Sequence, residues 1–249
     1  MPITRSVCSL MVGLLACGVS LCVQAQDADL QAMRTIANDF QNRVHVRGIP
    51  DAAFLPPPAI RIVTTPTISF YDEHGTVTEA RFKELPPPVQ EVFNQWASFT
   101  SDQVSGETLF RDSFYRFFFV HELGHWLQAR VLAARGRGEE KWPAADEDFY
   151  QDEIQSNRIA IAWWREHDGP YLDRLIADYR QIEARMPNPV PAGQDKWQFF
   201  NSNYAKLGSE PDVYGWYQLD LVITAYDRPK ESFQQVLDSL PSVSYRRAQ

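Results

Sequence analysis

The sequence predicts an α+β fold in which a small N-terminal antiparallel sheet or hairpin is followed by a mostly helical domain. Three observations carry this. Between the clusters Pro56-Pro57-Pro58 and Pro86-Pro87-Pro88 the chain is rich in Ile, Val and Thr, which suit a pleated, half-buried surface. Beyond residue 86 every patterned segment repeats its apolar residues at helical spacing. The 249 residues, 44% hydrophobic and 22% charged, have the balance of a globular protein with a full core.

The first element, Asp29 to Arg43, carries Leu30, Met33, Ile36, Ala37 and Phe40 at helical spacing. Ala59–Thr65, Thr67–Tyr71 and Thr76–Phe82 read as short strands, the last two joined by the turn Asp72-Glu73-His74-Gly75, where Gly75 is free to take a positive φ. Helices are expected over Val89–Phe99, Asp112–Ala134, Asp146–His167 and Pro170–Arg185, then over Trp197–Leu207, Pro211–Tyr226 and Ser232–Leu240. In Ser209-Glu210-Pro211-Asp212 a serine oxygen is placed to receive a free backbone N–H at a helix start. Arg135 to Lys141 reads as a solvated loop. With no internal repeat and no low-complexity block, residues 26–249 read as a single domain.

Residues 1–25 read as a signal peptide: Arg5, an apolar stretch from Val7 to Val23, and the small-residue cleavage site Val23-Gln24-Ala25. The implied location is periplasmic or secreted, with lipoprotein anchoring at Cys17 as the alternative. The apolar stretch is shorter than the roughly 20 residues of a spanning helix. Cleavage removes Cys8, Cys17 and Cys22, every cysteine in the chain, so any metal in the mature protein is held by His, Asp or Glu. It also takes the net charge from −8 to about −9, which argues against nucleic acid as a partner.

The strongest chemical signal is His121-Glu122-Leu123-Gly124-His125 within the long, very apolar helix. Residues four apart share one helix face at about 5–6 Å, so both imidazoles can converge on one Zn²⁺ while Glu122 leans toward metal-bound water. Burying two histidines and a glutamate without a partner would cost several kcal/mol, which a dication offsets. A third protein ligand is then required. The extended motif ending in x-x-Gly-x-x-His is absent, since Gln128 and Val131 occupy those positions.

The next helix offers a carboxylate instead. Positions 150, 153, 154, 157, 160, 161 and 164 form one stripe, reading Tyr, Glu, Ile, Asn, Ala, Ile and Trp, so Glu153 lies on the core-facing side. Asp148, Asp152 and Gln155 fall on other sides, read as solvated. Glu153 is therefore chosen as ligand over Asp152. Asn157, one turn on, is placed to bond the far nitrogen of a ligating histidine, with a plain core hydrogen bond as the alternative.

His121-Glu122-x-x-His125 on one helix and Glu153-x-x-x-Asn157 on the next resemble the gluzincin metallopeptidases, and among them small bacterial exported metallopeptidases. The resemblance spans Phe117 to Trp164. It implies a zincin-like fold and zinc-dependent hydrolysis of peptide bonds. Zn²⁺ would be held by His121, His125 and Glu153, with Glu122 as general base on a metal-bound water. Asn157 stands where many members carry Asp, which weakens polarisation of the histidine without abolishing ligation. The hairpin ending near Phe82 is similar to the edge strand that zincins lay beside a peptide substrate. Tyr150, Tyr204, Tyr214 and Tyr217 are open as oxyanion donors, each with core packing as its plainer role. His167, 14 residues beyond Glu153 and thus about 21 Å further along a continuous helix, reads as a helix-end cation. His45 and His74 read as surface residues, and Trp163 and Trp164 as packing. Two other functions fit the same residues: a non-catalytic envelope protein with a structural zinc site, and an amidase acting on cell-wall cross-links.

Overall fold

A computed structural model describes residues 28–63, 69–72, 75–102, 104–135, 148–207 and 210–240. Residues 1–25, expected as a signal peptide, and His74, residues 136–141 and Ser209 lie outside the described residues. The fold is mostly helical with one small mixed sheet.

Helix α1 spans 28–42 and buries Met33, Ala37 and Phe40 at helical spacing. The strands are β1 (Ala59–Val63), β2 (Phe70–Tyr71) and β3 (Thr76–Ala80), in the order β1-β3-β2. β2 and β3 form the expected hairpin: Gly75 has φ +78°, its N–H bonds the Asp72 carbonyl, and Asp72 Oδ1 accepts from Thr76 N–H at 2.9 Å. The sheet is nevertheless not antiparallel throughout, because β1 runs parallel to β3, pairing Ala59 with Thr76 through Val63 with Ala80. All five residues of β3 are buried, and this strand takes the centre with a partner on each edge. Composition marks such a strand without stating which neighbours it pairs.

From residue 86 every described element is helical: α2 (Pro87–Phe99), α3 (Gly106–Asp112), α4 (Phe119–Ala134), α5 (Phe149–His167), α6 (Gly169–Glu183), α7 (Lys196–Leu207), α8 (Pro211–Tyr226) and α9 (Phe233–Ser239). Ser105, Asp148, Asp168 and Ser232 cap α3, α5, α6 and α9 through their side chains. The start of α8 differs from the expected serine cap: Glu210 holds the N-cap position and makes no side-chain cap bond.

The long helix expected over Asp112–Ala134 is also interrupted. Ser113–Phe118 forms a π-helical turn between α3 and α4. Such a turn inserts a residue and rotates the helix beyond it, and it is frequent at functional sites. Here Phe114 and Phe118 stack on each other, with centroids 5.0 Å apart, and Tyr115 donates to the Ala80 carbonyl at 2.8 Å, tying the turn to the sheet. α5 runs through the middle of the helical part and packs on α4, α6, α7, α8 and α9, while β2 and β3 lie against α4. The buried apolar residues form one continuous core from Met33 to Leu240. Among the described residues no helix is long and apolar enough to cross a membrane.

Candidate metal centre

The centre lies where α4 meets α5, and Gly124 sets how closely they approach. A Cβ at that position would come within 3.1 Å of Ser156 Cα and 3.3 Å of its carbonyl oxygen. A larger residue there would hold the helices apart. At this separation His121 and His125, one turn apart on α4, face Glu153 on α5.

Three ligand atoms converge. His121 Nε2 and His125 Nε2 are 3.0 Å apart, and Glu153 Oε2 lies 3.2 Å from the first and 3.9 Å from the second. Zinc bonds of about 2.0–2.1 Å place tetrahedral ligands about 3.3 Å apart, so these spacings fit one small cation. Glu153 Oε2 is buried and accepts no well-aligned hydrogen bond, although two imidazole nitrogens face it. Such an orphaned buried oxygen calls for a positive partner.

The outer nitrogens are turned away from this point and held. His121 Nδ1 is 2.8 Å from Asn157 Oδ1. His125 Nδ1 is 3.2 Å from Asp152 Oδ2 and 3.0 Å from Ser156 Oγ, which in turn accepts from Gln128 at 2.8 Å. When Nδ1–H donates to a fixed acceptor, the Nε2 lone pair is left for a metal. Glu153 is steadied through its other oxygen, which accepts from Tyr204 Oη at 3.3 Å.

The electrostatics point the same way. Burial opposes charge on His125, yet Asp152, Glu153 and Glu122 carry it up to about 10. Burial likewise works against ionised Glu153, but His121, His125 and Tyr204 hold it down at about 2. Glu122 and Asp152 are raised above their usual values, chiefly by burial. Two imidazoles and three carboxylates thus share one buried spot that favours added positive charge. His121, His125 and Glu153 can hold a metal ion.

Glu122 sits beside this cluster, with Oε2 accepting the Tyr71 N–H of β2 at 2.8 Å. Both line a cavity of about 310 Å³ that also reaches α2, the π turn, α6 and α8. Of the two hairpin strands, β2 lies at an edge of the sheet and lines the cavity, whereas β3 is flanked on both sides. Tyr204 and Tyr214 line the cavity, whereas Tyr150 bonds toward Lys196 and Thr224, and Tyr217 is fully buried in the core. Asp148 is spent on the α5 cap, Trp197 and Asn201. His167 closes α5 against α1 through Asp39 at 2.6 Å, and His45 pairs with Asp51 at the surface.

One expectation is corrected outright. Asp152 is not on a solvated side: it is 5% exposed and lies against His125. The stripe argument presumes a helix with one wet face, and α5 is covered by five other helices. Gln155, read the same way, is also buried. Asp152 carried no local sequence signal, since only the packing of five helices around α5 leaves this carboxylate without a wet side. Ser156, Gln128 and the Tyr71 N–H carried none either, because each acts through a contact distant in sequence. No protein-family model, curated protein or solved structure matches the chain.

Proposed function

We propose that this protein is a zincin-like metallopeptidase that hydrolyses peptide bonds and is exported by way of residues 1–25. The observation that carries the reading is the convergence of His121 Nε2, His125 Nε2 and Glu153 Oε2, with both Nδ1 atoms tied back. Two imidazoles and one carboxylate suit zinc better than magnesium or calcium, which take all-oxygen sites. A zinc ion held there supplies Lewis acidity toward a carbonyl and lowers the pKa of water.

The chain's own groups have distinct tasks. Glu122, raised by burial and held by Tyr71 N–H, is suited to take a proton from the attacking water and return it to the leaving amine. Asn157 and Asp152 fix the tautomers of the two histidines. Of the tyrosines expected as oxyanion donors, Tyr204 and Tyr214 line the cavity; the Tyr204 hydroxyl is committed to Glu153, so Tyr214 is the one with an O–H to offer. A structural zinc site needs a fourth protein ligand, and Asp148, the carboxylate at the start of α5, is instead engaged by Gln151 N–H, Trp197 and Asn201, which favours an enzyme over a structural zinc protein.

The test is zinc content and peptide-library turnover for the mature protein and for Glu122→Gln. The expected outcome is unchanged zinc with turnover reduced about 10²–10⁴-fold. Loss of zinc in the variant would make Glu122 a structural residue, and unaltered turnover would remove it from the chemistry.

A further inference from the structure

The walls of the 310 Å³ cavity sort by chemistry. The carboxylates and imidazoles are those of the metal cluster and Glu122. Much of the remaining wall is apolar, with Val92, Phe93 and Trp96 from α2, Phe114 and Phe118 from the π turn, and Leu219 from α8. No lysine or arginine is among the described residues that line it. Gly215 of α8 gives the Trp96 indole its place, since a Cβ there would come within 2.5 Å of the ring. Phe70, 41% exposed on β2, stands on the same lining as Glu122.

An apolar cavity of about 150 Å³ admits benzene, so a space of about 310 Å³ has room for a group of that size against the apolar wall beside the metal ligands and Glu122. We infer that the substrate carries a bulky, uncharged side chain, aromatic or branched aliphatic, beside the bond that is cleaved, and that this cavity receives it. An acidic side chain in the same place would be desolvated with no cationic partner on the wall, and a basic one would find Glu153, Asp152 and Glu122 already engaged by His121, His125 and the Tyr71 N–H. The cleaved bond rests on the peptidase reading above, whereas affinity of the cavity for an apolar group does not need the ion. Burial of a side chain of this size contributes about 10- to 100-fold in binding.

The experiment therefore has two arms. In the first, n-butylbenzene is titrated into metal-free and zinc-loaded protein, and into Val92→Trp, a change at a half-buried wall position outside the metal cluster. Saturable binding to both forms, weakened at least about tenfold in a folded Val92→Trp, is expected. In the second, kcat/KM is compared for peptides differing only in Phe, Leu, Ala or Asp beside the scissile bond. Preference for Phe or Leu over Asp should exceed about tenfold and shrink toward the Ala value in Val92→Trp. No n-butylbenzene binding, or equal binding by a Val92→Trp variant with native circular dichroism, overturns the inference even if peptides are cleaved. Failure to cleave any peptide counts against the peptidase reading alone, and the first arm still decides the cavity's preference.

Discussion

At the scale of single residues, the site depends as much on the groups that stand behind the ligands as on the ligands. Asp152 fixes His125 from a position that helical periodicity assigned to solvent, so its replacement is informative. Asp152→Asn removes the charge facing Nδ1 of His125 and is expected to weaken zinc binding about 10- to 100-fold, measured by competition with a chromophoric chelator. An unchanged affinity would mean that Ser156 alone orients the ring. The motif residues His121, Glu122 and His125 were legible because four-residue spacing is a local property of one helix. Glu153 was legible because a carboxylate on an apolar stripe needs a partner. Tyr71 was not, since its contribution to Glu122 is a backbone N–H that any residue type other than proline would provide.

At the scale of elements, the spacing of α4 and α5 is the variable that matters, and Gly124 controls it. Gly124→Val should destabilise the protein by about 1–3 kcal/mol through overpacking against Ser156, and lower zinc occupancy in parallel. Gly124→Ala, whose single methyl meets atoms at 3.1–3.3 Å, should do both to a lesser degree. Metal analysis and denaturant titration on the pair check this, and full occupancy in the valine variant would refute it. The helices after residue 86 were readable from periodicity. The π turn was not, because the aromatic run Phe117-Phe118-Phe119 is compatible with either helix and the tie to Ala80 that holds the turn is long-range. The parallel pairing of β1 with β3 escaped for the same kind of reason: strand content is local, whereas strand order is not.

At the scale of the whole molecule, the groups enclosed by the core set how stability responds to metal and to pH. An ion bound only by the folded state stabilises it by mass action, about 4 kcal/mol at free zinc a thousandfold above Kd, so chelation should lower Tm measurably. Glu79, fully buried in the central strand, is raised well above 4.5, mainly by burial. The folded state then holds a proton that the unfolded state releases, so this group makes stability fall as pH rises from about 4.5 toward its folded value. Glu79→Gln keeps an acceptor for Ser69 Oγ, bonded now at 2.6 Å, and should flatten that slope in denaturant titrations across pH. An identical slope in both proteins would show that Glu79 does not titrate as described. The contact from the Tyr71 N–H to Glu122 spans the sheet and the helical half. Its amide proton is therefore a built-in spectroscopic reporter, since the nuclear resonance at position 71 should shift whenever the glutamate changes ionisation or a ligand draws its oxygen away.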